Sequence, residues 1–540
     1  MKWKEIAVFL LTGILLLTGC GLGNTGTSGE GTGENTTTAA KTTTQTTTET
    51  ATGELSNGID TSDMFTDRDK EIGYDEENSA VITLSDGKSA CDSDAVQIDE
   101  NTVTISDEGT YILSGKLTNG MIIVDAEDTD KIQLVLDGVT ISNAESAAIY
   151  VRSADKVFMT TASGSENILT NGGTYTAIDD NNIDAVIFSK DDLTLNGAGT
   201  LTIHAEAGHG IVSKDDLVLT SGTYEITAEK HGLSGKDSVR IADGTYNITS
   251  GKDGLHASNT DDTSLGFIYI AGGNFEITAA DDGMHADSAL MIEGGTIHVA
   301  ESYEGLEGLS IDIAGGDIDV TSSDDGLNAA GGNDSSGFEG GGGDIFAVEE
   351  GAYIHISGGK LHVNASGDGI DSNGTLTISG GETYVSGPTN GANGSLDYNG
   401  EGVISGGIFV AAGSSGMAQN FSSSSTQGAM MVTVDVQTAG STISLSDSSG
   451  KELVSWGADK EYASVIVSCP EITEGDTYTL TAGSSTQEIT MDTLVYGSGG
   501  MGGQRGGGAP GQDRSMKGGE VPGQRGPMEN REAPEQNGPM

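Results

Sequence analysis

Five regularly placed dipeptides between residues 253 and 369 put a carboxylate directly before a glycine: Asp253-Gly254, Asp282-Gly283, Glu304-Gly305, Asp325-Gly326 and Asp368-Gly369. Asp281 and Asp324 precede two of these acids, and Asp287, Glu307 and Asp371 lie just beyond the glycine. If a regular fold stacks the dipeptides, equivalent carboxylates stand one strand spacing apart, roughly 4.8 Å. Like charges about 5 Å apart repel by about 1 kcal/mol in water and about 3 kcal/mol at an effective dielectric of 20. Such a column destabilises an ion-free fold, and a hard divalent cation relieves it. Ca2+ takes about six to eight oxygens at roughly 2.3 to 2.6 Å, so acids of adjacent repeats can share one ion. The candidate ligands are therefore Asp253, Asp281, Asp282, Asp287, Glu304, Glu307, Asp324, Asp325, Asp368 and Asp371. His256 and His285 would admit a transition metal, but the oxygen donors around them favour calcium. Both histidines are expected as surface ladder residues. An Asp-Gly pair also makes a good corner, its side chain accepting backbone N–H bonds. Earlier repeats use His209 and His231 at the same corner, however, and the acids concentrate later.

What stacks them is an internal repeat. Leu219-Thr-Ser-Gly-Thr-Tyr-Glu-Ile-Thr227 returns as Ile241 to Thr249, Ile270 to Thr278, Ile292 to Val299, Ile313 to Val320, Ile356 to Val363 and Ile378 to Gly381. From Gly222 to Gly381 the steps are 22, 29, 22, 21, 43 and 22 residues, and insertions account for the two long ones. The acid-glycine phrase falls between copies in the same register. A fixed period, short β-branched runs, glycine corners and little proline define a solenoid of β coils rather than helices. Inward Ile, Leu, Val and Phe alternate with outward Thr, Glu, Asp and His, and the few aromatics, Tyr224, Tyr246 and Phe275 among them, are expected in the core. The fold class is thus all-β, a parallel β-helix of about 22-residue coils. Weaker copies, such as Ile132 to Val139 and Leu193 to Gly197, carry it back to about Val81. Residues from about Asp60 to Asn101 should cap its start. Gly331 to Gly351 is a long loop thrown out beside the acidic edge, placed to cover a groove.

The ends read differently. Lys2 and Lys4 precede an apolar run from Ile6 to Leu17 that closes on Leu17-Thr18-Gly19-Cys20. This order resembles a bacterial lipoprotein signal, with Cys20 the lipidated residue and the mature chain held on the outer face of the cell membrane. The expected organisation is a signal peptide over 1–20, a Gly/Thr/Ser stalk over 21–58, the β-helix with its cap over 59–412, a small β element over 413–496, and a disordered Gly/Pro/Arg/Met-rich tail over 497–540. Net charge is −57, which argues against nucleic acid as a partner. Beyond Cys20 only Cys91 and Cys469 remain, too few for a disulfide scaffold.

The Ile-x-Gly-Gly and Asp-Gly-Leu-His/Asn phrases, the lipobox and the acidic balance together resemble the carbohydrate-binding domain-containing β-helix surface proteins of anaerobic Gram-positive bacteria. The resemblance spans most of residues 60 to 496. It implies a right-handed parallel β-helix similar to polysaccharide lyases, with calcium at the Asp-Gly corners, that binds cellulose or acidic pectic polymers without established catalysis. A polyanion can meet so acidic a body through calcium shared between protein and uronate carboxylates. A monomer that binds cell-wall polysaccharide at the bacterial surface is the resulting expectation. Two rivals stay open. One is a calcium-dependent pectate lyase, which needs a basic residue to take a proton beside a carboxylate, with Lys214, Lys230, Lys236 and Lys252 near the corners. The other is a structural or adhesive surface protein with no glycan specificity.

Overall fold

The structure, a computed structural model, describes residues 58–330 and 348–497. The lipidation site expected at Cys20, the signal peptide, almost all of the stalk, most of the Gly331–Gly351 loop and the tail beyond 497 lie outside the described residues. Through most of the described residues, short strands alternate with corners, and strands of the coils pair in parallel with their equivalents one coil along. Three faces result. The first includes His209–Ser213, Leu233–Gly235, Leu255–Ala257, Leu327–Ala329 and Ile370–Ser372. The second includes Lys156–Thr161, Asp192–Gly197, Asp216–Leu219, Ser238–Ile241 and Phe267–Ile270. The third includes Thr200–Ala205, Thr223–Ala228, Thr245–Ser250, Asn274–Ala279, Thr296–Glu301 and Asp317–Ser322. In two coils the first and second faces are joined without a break, as Met284–Ile292 and Leu306–Ile313.

Alternation along each strand builds the core. On the third face Ile203, Ile226, Ile248, Ile277, Val299 and Val320 stand in register and are buried. Two residues earlier, Tyr224, Tyr246 and Phe275 stack inside with ring centroids 5.1 and 4.7 Å apart. The two tyrosine hydroxyls donate to the carbonyls of Ser221 and Asp243, so these rings are core, as the alternation requires. The second glycine of each Ile-x-Gly-Gly turns the corner with a left-handed backbone, φ +76° at Gly359, where a Cβ would meet the Gly315 carbonyl carbon at 2.7 Å.

The segment before residue 80 does something the repeat does not reveal. The expected cap over residues 60 to 101 divides in two. Ala80–Ser85 pairs in parallel with Gly109–Leu117, and Val96–Asp99 folds antiparallel on Thr102–Ile105, closing the first coil. Residues 59–73 instead lie as a strap along the outside of the second face. Met64 and Phe65 pack with Tyr269, Ala289 and Met291, and farther on Arg68 reaches Gln133 at 3.0 Å. Between them Asp69, 2% exposed, accepts from Thr194 at 2.7 Å and pairs with Lys156 at 2.9 Å. Burial disfavours its charge, but the bonds from Thr194, Lys156 and Thr66 outweigh it and bring the carboxyl down to about 2.

At the other end Ile408–Gly413 meets Tyr462–Ser468 antiparallel, and that strand also pairs with Ala429–Gln437. A separate antiparallel sheet follows, ordered Glu452–Gly457, Thr442–Asp447, Thr477–Ala482, Ser485–Thr490. This reversal ends the parallel ladder of the third face. Cys91 and Cys469 are both free thiols.

Candidate functional site

The corner leading into the first face carries the predicted acids, and the coils hold them in register. The amides of Gly254, Gly283, Gly305 and Gly326 donate to the carbonyls of Asp282, Glu304, Asp325 and Asp368 on the following coil. The side chains repeat the pattern. Asp253 Oδ1 accepts the Asp282 amide at 3.2 Å, Asp282 Oδ1 the Glu304 amide at 3.1 Å, and Asp325 Oδ1 the Asp368 amide at 2.6 Å. One oxygen of Asp253, Asp282 and Asp325 thus ties two coils together; the other faces imidazoles in Asp253 and Asp282 and is left for a ligand role in Asp325. A second column runs outward beside it, with Ser234, His256, His285, Glu307, Asn328, Asp371 and Asp397 as successive members.

Seven of the ten predicted ligands fall into groups whose donor atoms lie within 4.8 Å of one another: Asp253 with Asp281 and Asp282, Asp282 with Glu307 around His285, and Asp325 with Asp368 and Asp371. Glu304, Asp324 and Asp287 fall outside these groups. Glu304 accepts from Asn328 at 2.7 Å. Asp287 accepts from Ser258 at 2.8 Å and faces His285 Nε2 at 3.5 Å. Asp324 stands against Gly367, whose backbone comes so near that a Cβ there would lie 2.3 Å from Oδ1 of both Asp324 and Asp325.

The three groups differ in how their charge is met. Lys252 pairs with Asp281, and burial on Asp253 is outweighed by bonds from His231 and His256, which hold it well below the usual carboxylate range. His285, itself buried, is held protonated by Asp282, Asp287 and Glu307. Among the described residues no ion pair reaches Asp325, Asp368 or Asp371. Burial and then the charges of Asp371 and Asp368 push Asp325 up to about 9. Burial and Asp368 push Asp371 up to about 8, while burial and Asp397 outweigh the Gly394 amide bond to bring Asp368 to about 7. Glu304 rises to about 8 through burial and the Glu307 charge. Beside them Asn328, 1% exposed, donates to Glu304 but leaves its own Oδ1 without a partner. An all-oxygen set with no cationic partner among the described residues and an orphaned carbonyl oxygen fits a hard divalent cation.

Sequence reasoning missed two things here. His256 and His285, expected as surface ladder residues, turn back three residues onto Asp253 and Asp282 at 2.7 and 3.2 Å, because the intervening glycine corner brings i and i+3 to one side. It also missed Asn328, a neutral residue in an acidic column; its place in the Asp-Gly-Leu-Asn phrase was the available signal. The four candidate lysines stand apart from the uncompensated acids. Lys214 lies over the Phe188 ring, Lys236 pairs with Asp261 at 2.8 Å, Lys252 is held by Asp281 as above, and Lys230 belongs to the backbone row just before it.

Fold and edge together define a class: a parallel β-solenoid with a column of carboxylates along one corner. Residues 99–351, just under half of the chain, match the model of a family described as carbohydrate-binding domain-containing protein. A carbohydrate-binding domain-containing protein of Acetivibrio thermocellus is 38% identical over 153 residues, covering 28% of this chain and 54% of that protein. The chain thus spans about half the length of the curated relative it matches. A solved structure, the gadolinium derivative of the polysaccharide lyase-like protein from C. thermocellum, is 34% identical over 47% of this chain and 98% of that one, at a TM-score of 0.40.

Proposed function

We propose that this protein binds an acidic cell-wall polysaccharide through calcium held at the Asp325, Asp368 and Asp371 corner, without cutting it, while a lipid on Cys20 tethers it to the outer face of the cell membrane. The observation that carries the reading is the convergence of one buried carboxylate, Asp325, with two half-buried ones, Asp368 and Asp371, and no cationic partner among the described residues. Oδ1 of Asn328 and the carboxylates of Glu304 and Asp324 are at hand as further oxygens. Calcium keeps coordination sites for outside ligands in flexible geometry, and uronate carboxylates suit them. The extended corner edge accommodates a polymer rather than a compact ligand. The match of residues 99–351 to a carbohydrate-binding family supports a glycan as partner.

Calorimetric titration of calcium, followed by polygalacturonate, tests this. Polymer binding is expected only after calcium, with both events weakened together by Asp325→Asn with Asp371→Asn. Unchanged calcium affinity in that variant overturns the reading. Monitoring unsaturated uronide absorbance in the same mixture separates binding from elimination, and a rising signal would favour a lyase.

A further inference from the structure

The same corner changes chemistry along its length, and its earlier coils present nitrogen donors rather than oxygens alone. His231 Nδ1 and His256 Nδ1 come from adjacent coils and both face Oδ2 of Asp253, at 3.0 and 2.7 Å. The three donor atoms lie within 4.8 Å of one another. We infer that His231, Asp253 and His256 form a site for a zinc-class transition dication, separate from the calcium corner and independent of any glycan.

Three observations lead there. The first is the donor set: two imidazoles and one carboxylate select Zn2+, Co2+, Ni2+ or Cu2+ over Ca2+, which prefers oxygen. Spacing is the second. Tetrahedral bonds of about 2.0 to 2.1 Å put ligand atoms roughly 3.3 Å apart, so the donor spacing suits an ion once the two rings, stacked at 4.0 Å and 13°, turn to aim both Nδ1 lone pairs at it. The third is a conflict at His231 Nδ1, which faces the Asp253 amide N–H at 3.2 Å and the Asp253 carboxylate at 3.0 Å. A proton on Nδ1 opposes the first neighbour, and a bare lone pair opposes the second. A cation bridging Nδ1 and Oδ2 makes nitrogen and oxygen donors to the same ion.

The surroundings suit a held but accessible metal. Asp253 Oδ1 is fixed by the Asp282 amide, and the His231 and His256 rings stack at 4.0 Å, with His209 and His285 extending the stack on either side. Both imidazoles line an open depression of about 310 Å³ that also contains Ser213, Ser234, Lys214 and Lys236. Three protein ligands leave a fourth position facing that depression, filled by water or by one small anionic donor.

The full chain, stripped by chelator and returned to excess calcium, is loaded with Zn2+ and its metal content measured. About one equivalent of zinc that calcium does not displace is expected. His231→Phe with His256→Phe keeps the ring stack and removes both nitrogens; zinc affinity should fall by about 100-fold or more. Asp325→Asn with Asp371→Asn should leave it unchanged. Zinc displaced by calcium, zinc bound equally by the histidine variant, or zinc lost in the aspartate variant would each overturn the assignment. Should the histidine variant fail to fold, Cu2+ resonance spectra of the unmodified chain decide: coupling to two nitrogens is expected, and coupling to one or none refutes the site.

Discussion

Asp325→Asn separates the two roles a corner carboxylate can have. Asp325 Oδ1 accepts the Asp368 amide at 2.6 Å, and an asparagine oxygen keeps that bond, so the substitution removes charge and leaves the corner contact. In the calcium-free protein the charge is a liability. One like-charge neighbour about 5 Å away costs about 3 kcal/mol at an effective dielectric of 20. With the carboxyl raised from 3.8 to about 9, the span from 3.8 to about pH 8 sets an upper figure of about 6 kcal/mol at that pH, at about 1.4 kcal/mol per pH unit. The variant should therefore be more stable than the unmodified chain in chelator, by about 3 kcal/mol or more. With calcium at about 100 times its dissociation constant the unmodified chain gains about 2.7 kcal/mol by mass action, and the variant, short of a ligand, gains little. Urea unfolding followed by circular dichroism, with chelator and with calcium, measures both. The signature is a stabilising effect of the substitution that shrinks or reverses when calcium is added. A variant less stable by the same amount in both conditions would make Asp325 a corner acceptor only, and the ion-binding reading of the column would fail.

Because Asp282, Glu304, Asp325, Asp368 and Asp371 bind protons more tightly folded than unfolded, calcium-free stability should fall as pH rises from about 4 to about 9; unfolding in chelator across that range checks it, and calcium should flatten the slope. Asp69 acts in the opposite sense. Its depressed carboxyl adds stability above about pH 4 that is lost as pH falls toward about 2, and Asp69→Ala, which leaves Lys156 only Asp192 at 4.0 Å, should cost about 3 kcal/mol and open residues 59–73 to limited proteolysis. Tyr246→Ala, opening a hole between Tyr224 and Phe275, should destabilise by about 3 to 5 kcal/mol in chemical denaturation.

Much of this molecule is readable from its own order of residues. The step of about 22 residues between Gly222 and Gly244, and again between Gly273 and Gly295, sets the coil, because in-register stacking repeats each side chain one strand spacing along the axis. Ile226, Ile248 and Ile277 must then form one inward row and Asp282, Glu304 and Asp325 one corner row, and they do. Periodicity speaks only for residues that share a phase. Asp69 finds Thr194, 125 positions away, through a strap that has no repeat of its own. Which neighbour a corner side chain meets was likewise beyond the pattern: that His231 and His256 converge on one oxygen of Asp253, while Asp325, Asp368 and Asp371 are left with one another, depends on rotamers and on the close approach of neighbouring coils. The order of residues already put histidines on the earlier coils and acids on the later ones; tertiary packing decided which of them converge, since donor geometry is set within a few tenths of an ångström and spacing in the chain is not.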